Sequence, residues 1–462
     1  MPERAERQFC AFFLARLAHE TARLKDMPFP GHSTGPKKWL NLVSGLIDTA
    51  GSYLELAGKH AIPESEASKL IREAERLGGL AYRALGHVVG SDATLIPHEI
   101  VAPLQRWVDG LKIKNTIFFR AEHLPNYELA WFDLKRWRTD LNNPSRSLIG
   151  AIDRINWPLL RVTVPGQALG MLPHYAVVGH ELGHGVQDQI KPDLTQKKAD
   201  LEACVQRITV RLAVSSFGRK EQLELVDILA NWVDELKADA VGHLLAGPAF
   251  YFALCGYLEL AGQTYGISRT HPPSDLRRRL LVAELAKGSP SHIEVFEGKT
   301  GLRITETVNS SHVPFCPPPD SLFSELKRPY GPLVAAICVE LVPYLEVVAS
   351  IIFAETESFV RRVAPDLIYE PRKLAHDLDS HLDLISVLVP PIEYRDSTGV
   401  HAAGLASILN VGWAALLTRL DRMNKPRGPV LSPVAGKMEQ LHELLLRAVE
   451  LSEARRVWEE QV

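Results

Sequence analysis

Two histidines and a glutamate in the segment 177–185 are the residues of this sequence best suited to chemistry. The segment reads Val-Val-Gly-His-Glu-Leu-Gly-His-Gly, with His180 and His184 four residues apart and Glu181 directly after the first histidine. If the segment is helical, both imidazoles lie on one face, one turn apart, and can converge on a single metal ion. Glu181 then projects beside the ion, where it can take a proton from a metal-activated water. The segment therefore predicts a catalytic zinc site.

The residues around this motif favour a buried helix. Most neighbours of the histidine pair are apolar: Ala176, Val177, Val178, Leu182 and Val186. Buried histidines need polar partners or a ligand. The glycines at 179, 183 and 185 each cost a helix about 1 kcal/mol relative to alanine, and close approach of another backbone is one reason to accept them. A pair of histidines on a solvated helix face remains the alternative.

A tetrahedral catalytic zinc site needs a third protein ligand and leaves its fourth position to water. Gln187 and Ile190 stand where the metzincin extension of the motif requires glycine and histidine, so that class is excluded. Two later glutamates, Glu202 and Glu235, are candidates. Only Glu235 has a carboxylate one turn further on, Asp239, which could orient a ligating histidine. We therefore favour Glu235, with a solvated acidic helix face as the alternative.

Three ordered motifs resemble those of one metallopeptidase family. The segments HELGH at 180–184, DELKADAVG at 234–242 and SRTHPPSDLR at 268–277 are similar to three elements of the gluzincin metallopeptidases of the HtpX and CAAX-prenyl-protease type. Those elements are HExxH, ExxxD and THP-x-x-x-x-R. The resemblance covers about Leu159–Leu281, roughly a quarter of the chain.

For the site, the resemblance implies that Zn²⁺ is held by His180, His184 and Glu235. It also implies that Glu181 is the general base and that Asp239 orients a ligating histidine. The segment Leu159–Val164 would be an edge strand near the cleft, where a substrate peptide can add as a further β-strand.

Peptide hydrolysis also needs a hydrogen-bond donor to the developing oxyanion. The resemblance implies His271 and Arg277 for this role. Tyr257 and Tyr265 are weaker alternatives, considered only because their hydroxyl groups can donate. A plain structural role for His271 stays open, because His-Pro-Pro-Ser-Asp is also a good entry to a helix. His243 could face the same cleft, although an ordinary helix position is favoured.

The patterning along the chain predicts a mainly α (α+β) protein in three parts. Residues 1–111 form a helical N-terminal region, and residues 301–462 form a helical C-terminal region. Residues 112–300 contain a small mixed sheet and the HExxH helix, and the resemblance implies that they form a zincin-like catalytic domain. β-branched and aromatic runs predict strands at Ile113–Phe119 and Tyr127–Phe132, joined as a hairpin by residues 123–126.

Helical periodicity predicts the remaining elements. They are Phe12–Met27, Trp39–His60, a segment from Pro63, Pro103–Leu111, Ser321–Val363 in pieces, Arg372–Val389, Ala402–Met423 and Ala435–Glu460. The proline-rich run at 313–319 is a candidate linker.

Composition narrows the class of protein, its cellular compartment and its partners. Of 462 residues, 46% are hydrophobic and 23% charged, as in ordinary soluble proteins. The five cysteines are scattered without a CxxC pair, which favours a reducing compartment. A net charge of -3 offers no general attraction to nucleic acid or anionic lipid. The most membrane-like stretch, Leu333–Ala354, contains Glu340, Pro343 and Glu346, so a buried helical pair is favoured over a span.

Together these observations predict a soluble, cytoplasmic zinc metalloendopeptidase acting on a protein or peptide substrate, with no nucleic-acid partner and no membrane span. The helical flanks would gate the substrate or bind a regulatory protein. Three alternatives remain: a zinc hydrolase of a non-peptide amide, a proteolytic toxin or stress effector autoinhibited by its flanks, and a non-enzymatic helical binding protein with structural zinc. Glu181 disfavours the last, because a structural site has no use for a base.

Overall fold

Helices make up most of the protein, as its sequence predicts. A computed structural model describes residues 2–27, 34–59, 62–89, 91, 96–113, 116–122, 127–132, 149, 159–165, 170–214, 217–260, 266–304, 319–396, 399–423 and 432–461. Its contacts define two units, Met1–Val108 with Lys114–Leu169, and Asp109–Ile113 with Gly170–Val462. These units do not coincide with the three predicted parts, since residues after 301 share a unit with the HExxH segment. The predicted linker at 313–318 lies outside the described residues.

The first unit contains three long helices packed on one another. They are α1 (Pro2–Lys25), α2 (Thr34–Ala57) and α3 (Glu64–Val88), and α4 (Val101–Gly110) follows them. Trp39 of α2 is fully buried, and its indole nitrogen donates to the carbonyl of Ala84 in α3 at 2.6 Å. Apolar residues at helical spacing complete this core, including Leu40, Val43, Leu46, Leu77 and Ala81.

A three-stranded mixed sheet belongs to the same unit. Its strands are β1 (Thr116–Glu122), β2 (Glu128–Phe132) and β3 (Leu159–Pro165), in the order β1-β3-β2. β3 pairs in parallel with β1 and antiparallel with β2. The predicted hairpin between β1 and β2 is therefore wrong, because β3 lies between them; residues 123–126 lie outside the described residues.

The prediction that Leu159–Val164 is an edge strand is also wrong. Val162, Thr163 and Val164 are consecutive and all buried, so both faces of β3 are covered, as in a central strand. Both of its hydrogen-bonding edges are occupied by neighbours, which leaves no edge for a substrate peptide. The sheet also lies in a different unit from the HExxH segment.

The second unit is built around one long helix. Its helices are α5 (Val178–His184), α6 (Lys198–Leu212), α7 (Arg219–Ala246), α8 (Pro248–Leu260), α9 (Ser274–Leu285), α10 (His292–Thr300), α11 (Pro319–Val363), α12 (Pro371–Ser386), α13 (Leu405–Thr418) and α14 (Pro433–Glu459). A hairpin of β4 (Glu393–Asp396) and β5 (Gly399–Ala402) was not predicted. Helix α7 packs against both α5 and α11.

Helix α11 matches the prediction of a helix in pieces. Gly331, with φ of 83°, interrupts it between Pro329 and Pro332. Among the described residues, only its segment Asp320–Val363 is long and apolar enough to cross a membrane, and 67% of its most apolar window is buried in the structure. A helix buried in the core of a globular protein can have the same length and composition, so this finding is weak evidence for a membrane span.

A buried asparagine fixes the C-terminal end of α7. The side-chain oxygen of Asn410 accepts from the Ala249 N–H at 2.9 Å, and its amide donates to the Ala246 carbonyl at 2.8 Å. These bonds satisfy backbone groups on both sides of Gly247, where α7 ends and α8 begins. Trp413, on the same helix as Asn410, donates to the carbonyl of Pro173, just before α5. Helix α13 therefore holds α7 and the approach to α5 together.

Helices α5 and α7 cross with their backbones in contact. A Cβ atom on Gly183 would lie 2.5 Å from Cα of Ala238, and one on Gly179 would lie 3.1 Å from Cα of Gly242. A Cβ atom does not fit at 2.5 Å from another atom, and at 3.1 Å it fits only if the neighbouring backbone moves. The close backbone approach that the motif's glycines predicted is therefore present, and it brings the HExxH residues against the middle of α7.

We expect Gly183→Ala to push α5 away from α7, to destabilise the fold by about 1–3 kcal/mol and to weaken metal binding. Urea unfolding and zinc titration measure the two effects. Gly298→Ala is the matched control, because no atom lies within 4 Å of its Cβ position in helix α10. Equal stability and equal zinc affinity of the two variants would contradict the close-contact explanation.

Candidate metal centre

The two histidines of α5 face one another. His180 Nε2 and His184 Nε2 are 3.2 Å apart, and their rings are nearly perpendicular, at 85°. The His180 side chain is 7% exposed and that of His184 is 23% exposed. The ring of Phe250 lies parallel to His180 at 6.4 Å and covers it. The pair is therefore packed on one side and reachable from solvent at His184.

Glu235 of α7 completes a three-residue cluster. Its Oε1 lies 3.4 Å from His184 Nε2, and its Oε2 lies 3.5 Å from His180 Nε2. Metal ions in proteins are usually held by His, Cys, Asp or Glu side chains. Among the described residues, His180, His184 and Glu235 form the one group of three or more such side chains whose ligand atoms lie close enough to share an ion. The rival Glu202 is exposed and pairs with Lys198 on α6. The structure thus brings Glu235, and not Glu202, to the histidines.

The outer nitrogen of each histidine has its own hydrogen-bond acceptor. His180 Nδ1 lies 2.9 Å from Asp239 Oδ1, and His184 Nδ1 lies 2.7 Å from Gln187 Oε1. A proton held at each Nδ1 leaves the Nε2 lone pairs free to bind a metal. Asp239 lies where the ExxxD pattern implies. Gln187 was missed, although its position three residues after His184 was the available signal.

Arg277 of α9 links the two carboxylates of α7. Its Nε and Nη2 donate to the two oxygens of Asp239, both at 2.7 Å, and its Nη1 lies 3.3 Å from Glu235 Oε2. The side chain is only 5% exposed. Such a bidentate pair fixes orientation, so the contacts of Arg277 give it a positioning role. Its implied role as an oxyanion donor stays a prediction.

The buried charges of the site are unbalanced. Glu181, Glu235 and Asp239 are buried, and Arg277 is the buried guanidinium among them. Burial opposes ionisation of Glu235 and Asp239, but Arg277 and hydrogen bonds hold both pKa values below their usual range. Burial raises the pKa of Glu181. Burial opposes the charged form of His184, yet Glu235 raises its pKa to about 9. The buried carboxylates of the cluster therefore stabilise a positively charged group placed among them.

A loop before α9 places His271 at the open side of the cluster. Its Nε2 lies 3.6 Å from Glu235 Oε1, and its side chain is 52% exposed. Trp232 of α7 anchors this loop by donating to the Ser268 carbonyl at 3.0 Å. The Thr270 hydroxyl lies 2.9 Å from His271 Nδ1 and can donate to it, which leaves the Nε2 hydrogen on the side of Glu235. Helix α9 begins at Ser274 after Pro273, so the segment is also a helix entry.

Three candidate residues remain: Tyr257, Tyr265 and His243. Tyr257 is half-buried and lies close enough to Arg277 to contribute to the raised pKa of this guanidinium. Tyr265 lies outside the described residues. His243 is buried and contacts His292, with ring centres 5.8 Å apart, and it is not part of the metal cluster.

The donor set fits a zinc ion. Zinc bonds of about 2.0–2.2 Å at tetrahedral angles separate neighbouring donor atoms by about 3.3–3.6 Å, close to the 3.2, 3.4 and 3.5 Å between the donors here. Glu235 Oε2 is also buried without a hydrogen bond. When ionised, three carboxylates against Arg277 leave two negative charges, which a divalent cation would balance.

Comparisons with known proteins do not assign this chain to a family: no protein family, curated protein or solved structure matches it. The resemblance to gluzincins therefore stays a prediction, carried by the three motifs and the geometry of this site.

We expect Glu235→Gln to abolish stoichiometric zinc binding, because an amide keeps the shape of the side chain but lacks the charge. Glu202→Gln is the matched control and should bind zinc like the unaltered protein. Metal content after dialysis against a zinc buffer measures both. Retention by Glu235→Gln together with loss by Glu202→Gln would show that the third ligand is misassigned.

Gln187→Ala should weaken zinc binding about 10–100-fold, since it removes the acceptor that orients His184. Gln189→Ala, at an exposed position of the same turn, should leave the affinity unchanged. Competition with a chromogenic chelator measures the affinities. Equal affinities for the two variants would mean that Gln187 does not orient the histidine.

Proposed function

We propose that this protein is a zinc-dependent metallopeptidase of the gluzincin type. One observation carries the proposal: His180 Nε2, His184 Nε2 and Glu235 converge with zinc-like spacing, and Glu181 is buried directly beside them. A histidine pair on a solvated helix would have neither the buried carboxylates nor acceptors at both Nδ1 atoms. Zinc, when bound, lowers the pKa of water and polarises a carbonyl group.

Glu181 is the proton carrier in this proposal. It accepts a proton from the attacking water as the water oxygen bonds to the substrate carbonyl carbon, and it passes that proton to the amide nitrogen as the C–N bond breaks. Burial raises the pKa of Glu181, which suits a group that must hold a proton between the two steps. Water adds across the peptide bond, and Glu181 ends as it began.

His271 is the proposed donor to the substrate oxygen. A neutral imidazole with its proton on Nε2 can donate to the oxygen as negative charge develops there. Partial burial lowers the pKa of His271, which favours the neutral ring near pH 7. Its exposed side chain lies beside Glu235, where a bound substrate would reach it. Arg277 and Asp239 keep His180 and Glu235 in place.

The open side of the cluster favours catalysis over a structural ion. Closed structural zinc sites have four protein ligands, whereas catalytic sites keep one position for water or substrate. Within the described ranges, the cluster supplies three ligands. His184 and His271 leave it accessible to solvent. We propose a protein or peptide substrate and a cytoplasmic setting, with the helical regions outside the motifs selecting the substrate or binding a regulatory partner.

The test compares cells expressing the unaltered protein with cells expressing Glu181→Gln. We expect the variant to keep about one zinc per chain, since no ligand changes, and to lose hydrolysis by at least about 10²-fold. Proteomic mapping of protein termini should reveal cleaved ends that depend on Glu181. Incubating each candidate substrate with purified, zinc-loaded protein then shows whether cleavage is direct.

Identical terminus maps for the two cell lines would contradict a peptidase that is active in those cells. Loss of zinc by Glu181→Gln would instead make this residue a ligand and remove the proposed base. Cleavage that survives in Glu181→Gln with full zinc content would contradict the mechanism.

A further inference from the structure

The turn after α5 carries Gln187, whose side chain is the acceptor for a metal-binding histidine. Residues Gln187–Gln189 form a single 3₁₀ turn, and Val186 and Ile190 on either side of it are buried. Gln187 Oε1 lies 2.7 Å from His184 Nδ1. A glutamine side chain is flexible, so the position of this oxygen depends on where the Gln187 backbone is held. A residue that fixes this backbone would therefore also help to fix the histidine.

Lys237 of α7 contacts that backbone directly. Its Nζ donates to the Gln187 carbonyl at 3.3 Å and to Asp234 Oδ1 at 2.9 Å. The Lys237 side chain is 11% exposed, and that of Asp234 is 29% exposed. Asp234 lies one turn before Lys237 on the same helix, so their ion pair limits the positions that the ammonium group can take. Lys237 thus joins the middle of α7 to the segment that carries Gln187.

A buried lysine is an unfavourable neighbour for a cation site. Lysine is rarely buried unless it is paired, and a like charge near a bound Zn²⁺ opposes binding by Coulomb repulsion. Lys237 is two residues from Glu235, and residues at that spacing do not share a helix face. Its two hydrogen bonds lead to Asp234 and to the Gln187 backbone, and not to a metal ligand. A favourable contribution of Lys237 to metal binding must therefore outweigh its charge and act through Gln187.

We propose that Lys237 is a positioning residue of the metal centre: it holds the Gln187 backbone against α7 and so keeps the Gln187 side chain in place for His184 Nδ1. The other ring nitrogen of His184 then stays turned toward Glu235, whose Oε1 lies 3.4 Å from it. This inference rests on the zinc site of the proposed function, but not on peptidase activity. The contacts run from α7, through the turn after α5, to a zinc ligand.

The test is the zinc affinity of the purified full-length protein, measured by competition with a chromogenic chelator. Lys237→Met removes the ammonium group but keeps most of the length and volume of the side chain. The Gln187 carbonyl keeps a hydrogen bond from the Ile190 N–H at 3.1 Å, and Asp234 keeps its contact with solvent, so the fold should remain. We expect zinc binding to weaken about 3- to 10-fold, which is less than on removal of the Gln187 side chain itself.

The direction of the change separates positioning from electrostatics. If the charge of Lys237 were its only influence on the site, Lys237→Met would strengthen zinc binding, because it removes a like charge. A purely structural lysine would lower thermal stability and leave the affinity of the folded protein unchanged. Lys198→Met, at an exposed lysine of α6, is the matched control and should change neither the zinc affinity nor the thermal stability.

A double-mutant cycle tests the route through Gln187. In protein that already carries Gln187→Ala, we expect Lys237→Met to cause no further loss of zinc affinity, because the side chain that it positions is absent. Asp234→Ala, at the more exposed member of the ion pair, provides a second cycle if Lys237→Met does not fold. It should weaken zinc binding more in the presence of the Gln187 side chain than in its absence, since Lys237 loses the partner that restricts its position.

Three results would overturn the proposal. They are a zinc affinity that Lys237→Met leaves unchanged or increases, equal losses from Lys237→Met with and without the Gln187 side chain, and equal losses from Asp234→Ala in the same two backgrounds. If the unaltered protein bound no zinc, or if Glu235→Gln did not reduce its binding, the proposed zinc site itself would be contradicted, and this inference with it.

Discussion

The burial of three carboxylates around two histidines is the constraint on which the site depends. Glu181, Glu235 and Asp239 are withdrawn from water, and Arg277 compensates only part of their charge. Unpaired buried charge is expensive, so the three carboxylates can all be ionised at low cost only if further positive charge is present. Burial opposes a charge on His184, but Glu235 raises its pKa to about 9, so a proton on this ring can supply part of that charge. A divalent cation bound by both histidines would displace that proton and balance the two negative charges that remain when all three carboxylates are ionised.

Helix α7 connects the metal centre to the rest of the fold. It provides Glu235 and Asp239, and its small residues Ala238 and Gly242 let the glycines of α5 approach closely. Its C-terminal end is held through Asn410, where α13 satisfies the backbone on both sides of the break. The same helix also lines a cavity of about 570 Å³ through His243.

Much of the site was predictable because helical spacing is a local property. Residues four apart lie on one face, so the pairs His180 with His184 and Glu235 with Asp239 could be recognised without a structure. Strand pairing is not local in this way. Runs of β-branched, aromatic and other apolar residues located β1, β2 and β3 but could not show that β3 lies between the other two. The contacts of Arg277 and the role of Gln187 also required the three-dimensional structure, since polar side chains on a helix or turn have many possible partners.

The most direct test of the central claim is anomalous diffraction at the zinc absorption edge, from crystals of the protein saturated with Zn²⁺. We expect one strong peak between His180 Nε2, His184 Nε2 and the carboxylate of Glu235, with distances of about 2.0–2.2 Å to each. A saturated protein with no peak at this position, or with its zinc held by other side chains, would contradict the account.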